Sequence, residues 1–180
     1  MRKAIAAVSV ICLALAVVVF VSHARQDKSQ RPSPAAQATL DLGGGKSITV
    51  DYSSPRAKGR KIFGELVPYG KVWRAGANEA TTFNTTADVT VGGTSVPAGN
   101  YTIFAIPEQS KWTLIISKKT GEWGTAYPGP ADDLARVDMK VTSLSTPVEN
   151  FTIAFDKTSN GGTMNMEWET TKASVPIVKK

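Results

Sequence analysis

Phe151-Thr152-Ile153-Ala154-Phe155-Asp156, then Asn160-Gly161-Gly162, then Met164-Asn165-Met166-Glu167-Trp168: this stretch decides the fold. Two runs of alternating apolar and polar residues flank a glycine turn. A period of two sends one row of side chains to a core and the other to solvent, as a half-buried strand requires. Working outward, the period returns in Ile48/Val50/Tyr52 against Thr49/Asp51, and in Val137/Met139/Val141 against Asp138/Lys140. Residues 101–106 and 112–116 are apolar on both faces and read as central strands. Gly92-Gly93, between residues 89–91 and 94–96, is a strong hairpin signal, and Pro97-Ala98-Gly99 marks a further turn. Turns at this spacing predict an all-β fold, a single antiparallel β-sandwich or jelly-roll-like domain, with the Met and Trp stripes in its core.

The N-terminus carries a different signal. Arg2 and Lys3 precede an apolar run over residues 4–21, and Ser22-His23-Ala24 supplies small residues at the positions a signal peptidase reads. Residues 1–24 therefore read as a signal peptide cleaved after Ala24. The run exceeds the usual core of about 7–15 residues and nears the roughly 17–25 that span a bilayer. A retained anchor over residues 4–22 is the alternative. Ile11 stands where a lipoprotein signal needs a small residue, so Cys12 reads as apolar filler. On either reading the rest of the chain is expected outside the cytoplasm, periplasmic or secreted, with membrane contact only through this segment. Residues 25–38 lack large apolar side chains and read as a flexible linker, which leaves residues 39–180 as the domain.

The chain has one cysteine and one histidine, Cys12 and His23, both inside the export segment. The domain is thereby denied a Cys or His nucleophile–base pair, a His or Cys metal site and a disulfide. No metal and no cofactor are expected; Asp132, Asp133 and Asp138 lack the spacing and glycine of a calcium loop. Lys and Arg number 21 against 15 Asp and Glu, a net charge of +6. The excess concentrates at Arg56, Lys58, Arg60, Lys61, Lys71 and Arg74, against Glu65 alone. No nucleic-acid partner is expected of an exported chain. The basic segment reads as a solvated face, with anionic headgroups or acidic glycans as the alternative partners.

Residues 53–83 break the alternation. Residues 58–66 suit a short helical turn interrupted by Gly64, and residues 71–74 a short strand. Long irregular segments in compact domains are commonly functional or packed against a sheet edge. The blocks Lys58-Gly59-Arg60-Lys61-Ile62-Phe63-Gly64 and Leu66-Val67-Pro68-Tyr69-Gly70-Lys71-Val72-Trp73-Arg74-Ala75-Gly76-Ala77-Asn78-Glu79-Ala80-Thr81, with Val96-Pro97-Ala98-Gly99-Asn100-Tyr101, Ile106-Pro107 and Trp112, resemble a family of exported bacterial proteins. That family is known only as domain of unknown function 2911. The resemblance implies fold, export and a bacterial host, and assigns no catalytic residue.

Two loops hold the candidate site residues. Arg74, Asn78 and Glu79 offer an anion clamp, an orienting amide and a weak candidate for a general acid or base. The bland alternative has Arg74 and Glu79 pairing to pin the loop. Trp123 and Tyr127, in Gly121-Glu122-Trp123-Gly124-Thr125-Ala126-Tyr127-Pro128, offer a stacking platform for sugar or peptide, unless they fold back to anchor the loop. The favoured reading is a cell-envelope module that binds a glycan, peptide or protein partner through its loops. The alternative is a hydrolase or lyase using Glu79 and Arg74 with help from Tyr52 or Lys71. It needs a second carboxylate, for which Asp51 is the nearest candidate.

Overall fold

The computed structural model describes residues 30–123 and 126–180. The expected signal peptide or anchor, including Cys12 and His23, lies outside the described residues. So do residues 25–29 of the expected linker and Gly124-Thr125 in the aromatic loop.

The described chain is all β. Its strands are β1 (Ala35–Gly43), β2 (Lys46–Ser53), β3 (Thr81–Thr85), β4 (Val89–Val91), β5 (Thr94–Val96), β6 (Gly99–Ile106), β7 (Lys111–Ser117), β8 (Asp133–Thr158) and β9 (Gly161–Lys179). They form one antiparallel sheet in the order β1-β2-β3-β6-β7-β8-β9-β4-β5. The glycine turns fall where the sequence puts them, between β4 and β5 and between β8 and β9. At the latter, Gly161 (φ 143°) lies so close to the Ile177 carbonyl that a Cβ would collide with it.

One sheet makes two layers because the β8–β9 hairpin bends. Its register shifts between Ser143 and Val148 and again between Val148 and Thr152. Opposite these bulges Glu169 is left-handed, at φ 53°. Bulges kink a strand and increase its twist. The far half of the hairpin, residues 151–168, meets the chain leaving β2. The Tyr52 hydroxyl accepts from the Ile153 N–H at 3.1 Å and donates to the Ile153 carbonyl at 3.4 Å. An antiparallel bridge pairs Arg56 with Asn150, with Ala57 N–H donating to Glu149 O at 2.8 Å and Phe151 N–H to Pro55 O at 2.9 Å.

The irregular segment plugs the curled sheet. Ile62, Phe63, Val67 and Ala75 are buried with the inward rows of the strands. Trp73 stacks on Trp168 (6.0 Å, 19°) and meets Phe151 edge-on at 4.9 Å, while Phe63 meets Trp112 at 4.7 Å. The expected helical turn at 58–66 does not form. Val67 N–H instead reaches back to Ile62 O at 2.9 Å, closing a wide turn that drives Ile62 and Phe63 inward. The expected strand at 71–74 reduces to one bridge, Trp73 with Ala105, donating in both directions at 2.8 Å.

Two further expectations change. β1 starts at Ala35, so residues 35–38 of the expected linker are strand; Ala38 is small enough to be buried under the sheet without a large apolar side chain. Asn165, read as outward, is buried. It donates to Asp156 at 2.8 Å and accepts from Ser174 at 2.7 Å, which satisfies its amide inside the bend.

Truncating the plug tests this architecture. Trp73→Ala should lower the unfolding free energy by about 3–5 kcal/mol. Leu66→Ala, 46% exposed in the same segment, should change it by no more than about 0.5 kcal/mol. Urea denaturation followed by circular dichroism measures both.

Candidate functional site

Residues 74–80 leave the aromatic plug and feed β3. Gly76 (φ 154°) sits where a Cβ would lie 2.9 Å from Ser53 O and 3.1 Å from Thr81 Oγ1. Only glycine lets the loop lie this close to the end of β2. Ala75 and Asn78 are also left-handed, at φ 51° and 56°, and Thr81 Oγ1 donates to Ala75 O at 2.8 Å. The turn is tight, and it is held from outside by residues 31–34. Asn78 Nδ2 donates to Ser33 O at 3.0 Å, and Ser54 N–H donates to Pro34 O at 2.8 Å. Arg31 Nη1 donates to both oxygens of Glu79, at 2.9 and 3.0 Å.

The anticipated Arg74–Glu79 pair is therefore replaced by Arg31–Glu79, across 48 positions of sequence. Arg74 has no carboxylate partner among the described residues. Its Nε is buried without an acceptor, and burial pulls the guanidinium below its ordinary pKa. Asn78 serves the turn. Of the three residues singled out in this loop, Glu79 alone lines a cleft.

That cleft, about 320 Å³, is bounded by Ala35, Asp51, Ser53, Glu79, Ala80 and Thr82. Gln37, Asp51, Thr82 and Thr102 are successive cross-strand partners on β1, β2, β3 and β6, so they share the outer face of the sheet. Asp51 accepts from Gln37 Nε2 at 2.7 Å and from Thr82 Oγ1 at 3.4 Å. Two carboxylates thus line one cleft, Asp51 at the polar ladder and Glu79 at its end. Tyr52 cannot assist them, since its hydroxyl turns inward to Ile153.

The two candidate loops meet here. Glu79 and Trp123 form an antiparallel bridge, and Ala80 N–H donates to Glu122 O at 3.3 Å. Bridge partners project to the same side of their strands. Trp123, 63% exposed, therefore stands beside the carboxylate that lines the cleft. Tyr127 takes the other path and anchors the loop. Its ring packs edge-on against Phe104 at 5.3 Å, while its hydroxyl donates to Asp133 (2.8 and 2.9 Å) and accepts from Arg136 at 2.7 Å. Burial and the Asp133 carboxylate hold the Tyr127 phenol above its ordinary pKa. Asp133 is further paired to Arg136 at 2.7 Å and Asp138 to Lys111 at 3.3 Å. Sequence reasoning missed Arg31 and Thr82, which carry no local signal.

Two measurements follow from this geometry. A double-mutant cycle of Arg31→Ala and Glu79→Gln should give a coupling of about 1 kcal/mol, as suits a half-buried ion pair. A cycle of Arg74→Ala with Glu79→Gln should give a coupling near zero. Tyr127 has a folded pKa above its unfolded one, so its stabilising contribution is complete below about pH 10 and is lost as pH rises through the folded value. Tyr127→Phe should lessen the alkaline decline in the unfolding midpoint without abolishing it, since burial also holds the Tyr52 and Tyr101 phenols above their ordinary pKa.

A family model described as "Protein of unknown function (DUF2911)" matches residues 33–177. No curated protein and no solved structure matches the chain. The match spans residues 33–34 outside the turn, the plug, the Glu79 cleft, strands β1 to β8 and β9 as far as Ile177, and this chain belongs to the DUF2911 family.

Proposed function

We propose that this domain is an extracytoplasmic cell-envelope module that binds a glycan across the Glu79 cleft without transforming it. The carrying observation is the Glu79–Trp123 bridge, which joins an exposed indole to a cleft with two carboxylates. A sugar ring offers an apolar face of C–H groups and a rim of hydroxyl donors. The indole suits the face; Asp51, Glu79 and Thr82 suit the rim as hydrogen-bond acceptors. Both carboxylates are steadied by protein donors, and Asp51 keeps further lone pairs for a ligand. Export, read from the basic start and apolar run at residues 2–21, would set the module among envelope glycans.

A hydrolase or lyase is the second reading, favoured by one observation: Asp51 and Glu79 line the same cleft, as paired carboxylates do in glycoside cleavage. Against it, Arg74, the anion clamp that reading needs, forms no hydrogen bond or ion pair with Glu79 and has its Nε buried without an acceptor.

Screening the full chain against soluble envelope oligosaccharides separates the two. Of the four tryptophans Trp112 and Trp168 are buried, Trp73 is half-buried in the plug and Trp123 is 63% exposed, so acrylamide quenching of fluorescence reports Trp123 most strongly. A bound glycan should shield it. Read by calorimetry, which needs no indole, Trp123→Ala should weaken binding by about tenfold or more with an unchanged unfolding midpoint, and the recovered sugar should be intact. Cleaved sugar, with cleavage lost in both Glu79→Gln and Asp51→Asn, would establish the enzyme instead. Absence of binding to any glycan would end the module reading.

A further inference from the structure

On the other side of the residue 31–34 strap lies a groove of about 350 Å³, lined by Pro32, Ser33, Arg56, Lys58 and Arg60. Three of these five carry positive charge and none is acidic. Like charges brought together repel unless something neutralises them. Among the described residues no carboxylate forms an ion pair with any of the three. Glu149 and Glu169 lie in the adjoining hollow, which Arg60 also lines, and there they accept from main-chain amides rather than pairing with the three cations. Glu149 Oε1 accepts from Lys58 N–H at 2.8 Å, and Glu169 Oε2 accepts from Ile62 N–H at 3.1 Å.

The arginines are held in position by carbonyls. Arg56 Nη1 donates to Ser54 O at 3.1 Å and Ser54 Oγ at 2.9 Å. Arg60 Nε donates to Ala57 O at 2.9 Å and its Nη2 to Arg56 O at 2.6 Å. These bonds fix each guanidinium while leaving it charged and with N–H donors to spare. Lys58 takes a left-handed conformation (φ 50°) ahead of Gly59 (φ 68°). A lysine there costs backbone strain, and such strain collects at ligand-binding positions. The loop itself is fixed from both sides, by the Arg56–Asn150 bridge and by Glu149.

We infer that this groove is an anion site for a phosphate group, bound by Arg56, Lys58 and Arg60. Two guanidiniums and an ammonium match a multiply charged tetrahedral oxyanion better than a single carboxylate. The groove has room beyond the phosphate for whatever the group is attached to. This site is separate from the Glu79 cleft and does not depend on the glycan reading.

The group can belong to a free phosphate or to a phosphodiester headgroup, and two soluble probes tell these apart. Calorimetry on the full chain in an uncharged detergent, at constant ionic strength, would use inorganic phosphate and, separately, glycerophosphoglycerol. At least one probe should bind saturably at one site. Lys58→Glu, at an exposed position, should weaken that binding by about tenfold or more, and Arg56→Gln should do the same. Should Arg56→Gln unsettle the fold through Ser54, Lys58→Glu still decides. Tighter binding of phosphate points to a free anion or monoester, and tighter binding of glycerophosphoglycerol to a lipid headgroup. Saturable binding of neither probe, or Lys58→Glu binding within twofold of the parent, overturns the site.

Discussion

The stacking of Trp73 on Trp168 is the contact on which the rest of the architecture depends. It joins a segment with no strand of its own to the far half of a hairpin that has bent away from its sheet. A long antiparallel hairpin has no intrinsic reason to fold back. Its inner face, with Phe151, Ile153, Met164, Met166 and Trp168, needs a partner surface. The inward rows of β1 and β2 supply part of it. Trp73 and Phe63 fill the gap between those rows and Trp112, so that six aromatic rings, with Tyr52 and Phe151, touch in one cluster. The segment that looks most functional in sequence is first of all the cap of the core.

The same segment has a second consequence. Because Trp73 is pinned to Ala105, the chain beyond it must return to β3 in a few residues, and it does so through left-handed Ala75 and Asn78 and the close-packed Gly76. That tight return carries Glu79 to the outer face, beside Trp123. The plug and the cleft are thus one device. The apolar positions of the family-like block at residues 58–81 are explained by packing, and Glu79 near its end by the cleft.

What the sequence disclosed, and what it did not, follows from the range of the interactions. Period-2 alternation is local, and the rows at 48–52, 137–141, 151–155 and 164–168 face inward as their spacing requires. Tyr127 as anchor and Trp123 as exposed side chain were both open readings of one loop; an aromatic alone does not reveal which way it turns. Arg74 and Glu79 lie five positions apart and look like a pair, yet Glu79 is claimed by Arg31 from 48 positions away. Nothing in residues 25–38 signals this. Alanines 35, 36 and 38 are poor in apolar surface, so the segment resembles linker. Residues 35–38 join the sheet because their main chain completes the ladder to β2, where residue type matters little. Asn165 was misassigned for a related reason, as its burial is made tolerable by Asp156 and Ser174, the latter on the same strand beyond the kink.

The packed interior also determines where any ligand must sit. Open β-barrels take ligands inside when their lumen is wide enough, but here the inward rows and the aromatic plug are buried against each other. Binding is left to the outer surface, where two of the hollows differ in charge. Asp51 and Glu79 line one hollow; Arg56, Lys58 and Arg60 line another. The strap at residues 31–35 is common to both: Arg31 grips Glu79, Pro32 and Ser33 wall the basic groove, and Ala35 borders the acidic cleft. Removing the strap would cost Glu79 its bonds to Arg31 and the basic groove one of its sides. The stretch that connects the domain to the N-terminal apolar segment is therefore a structural part of both hollows.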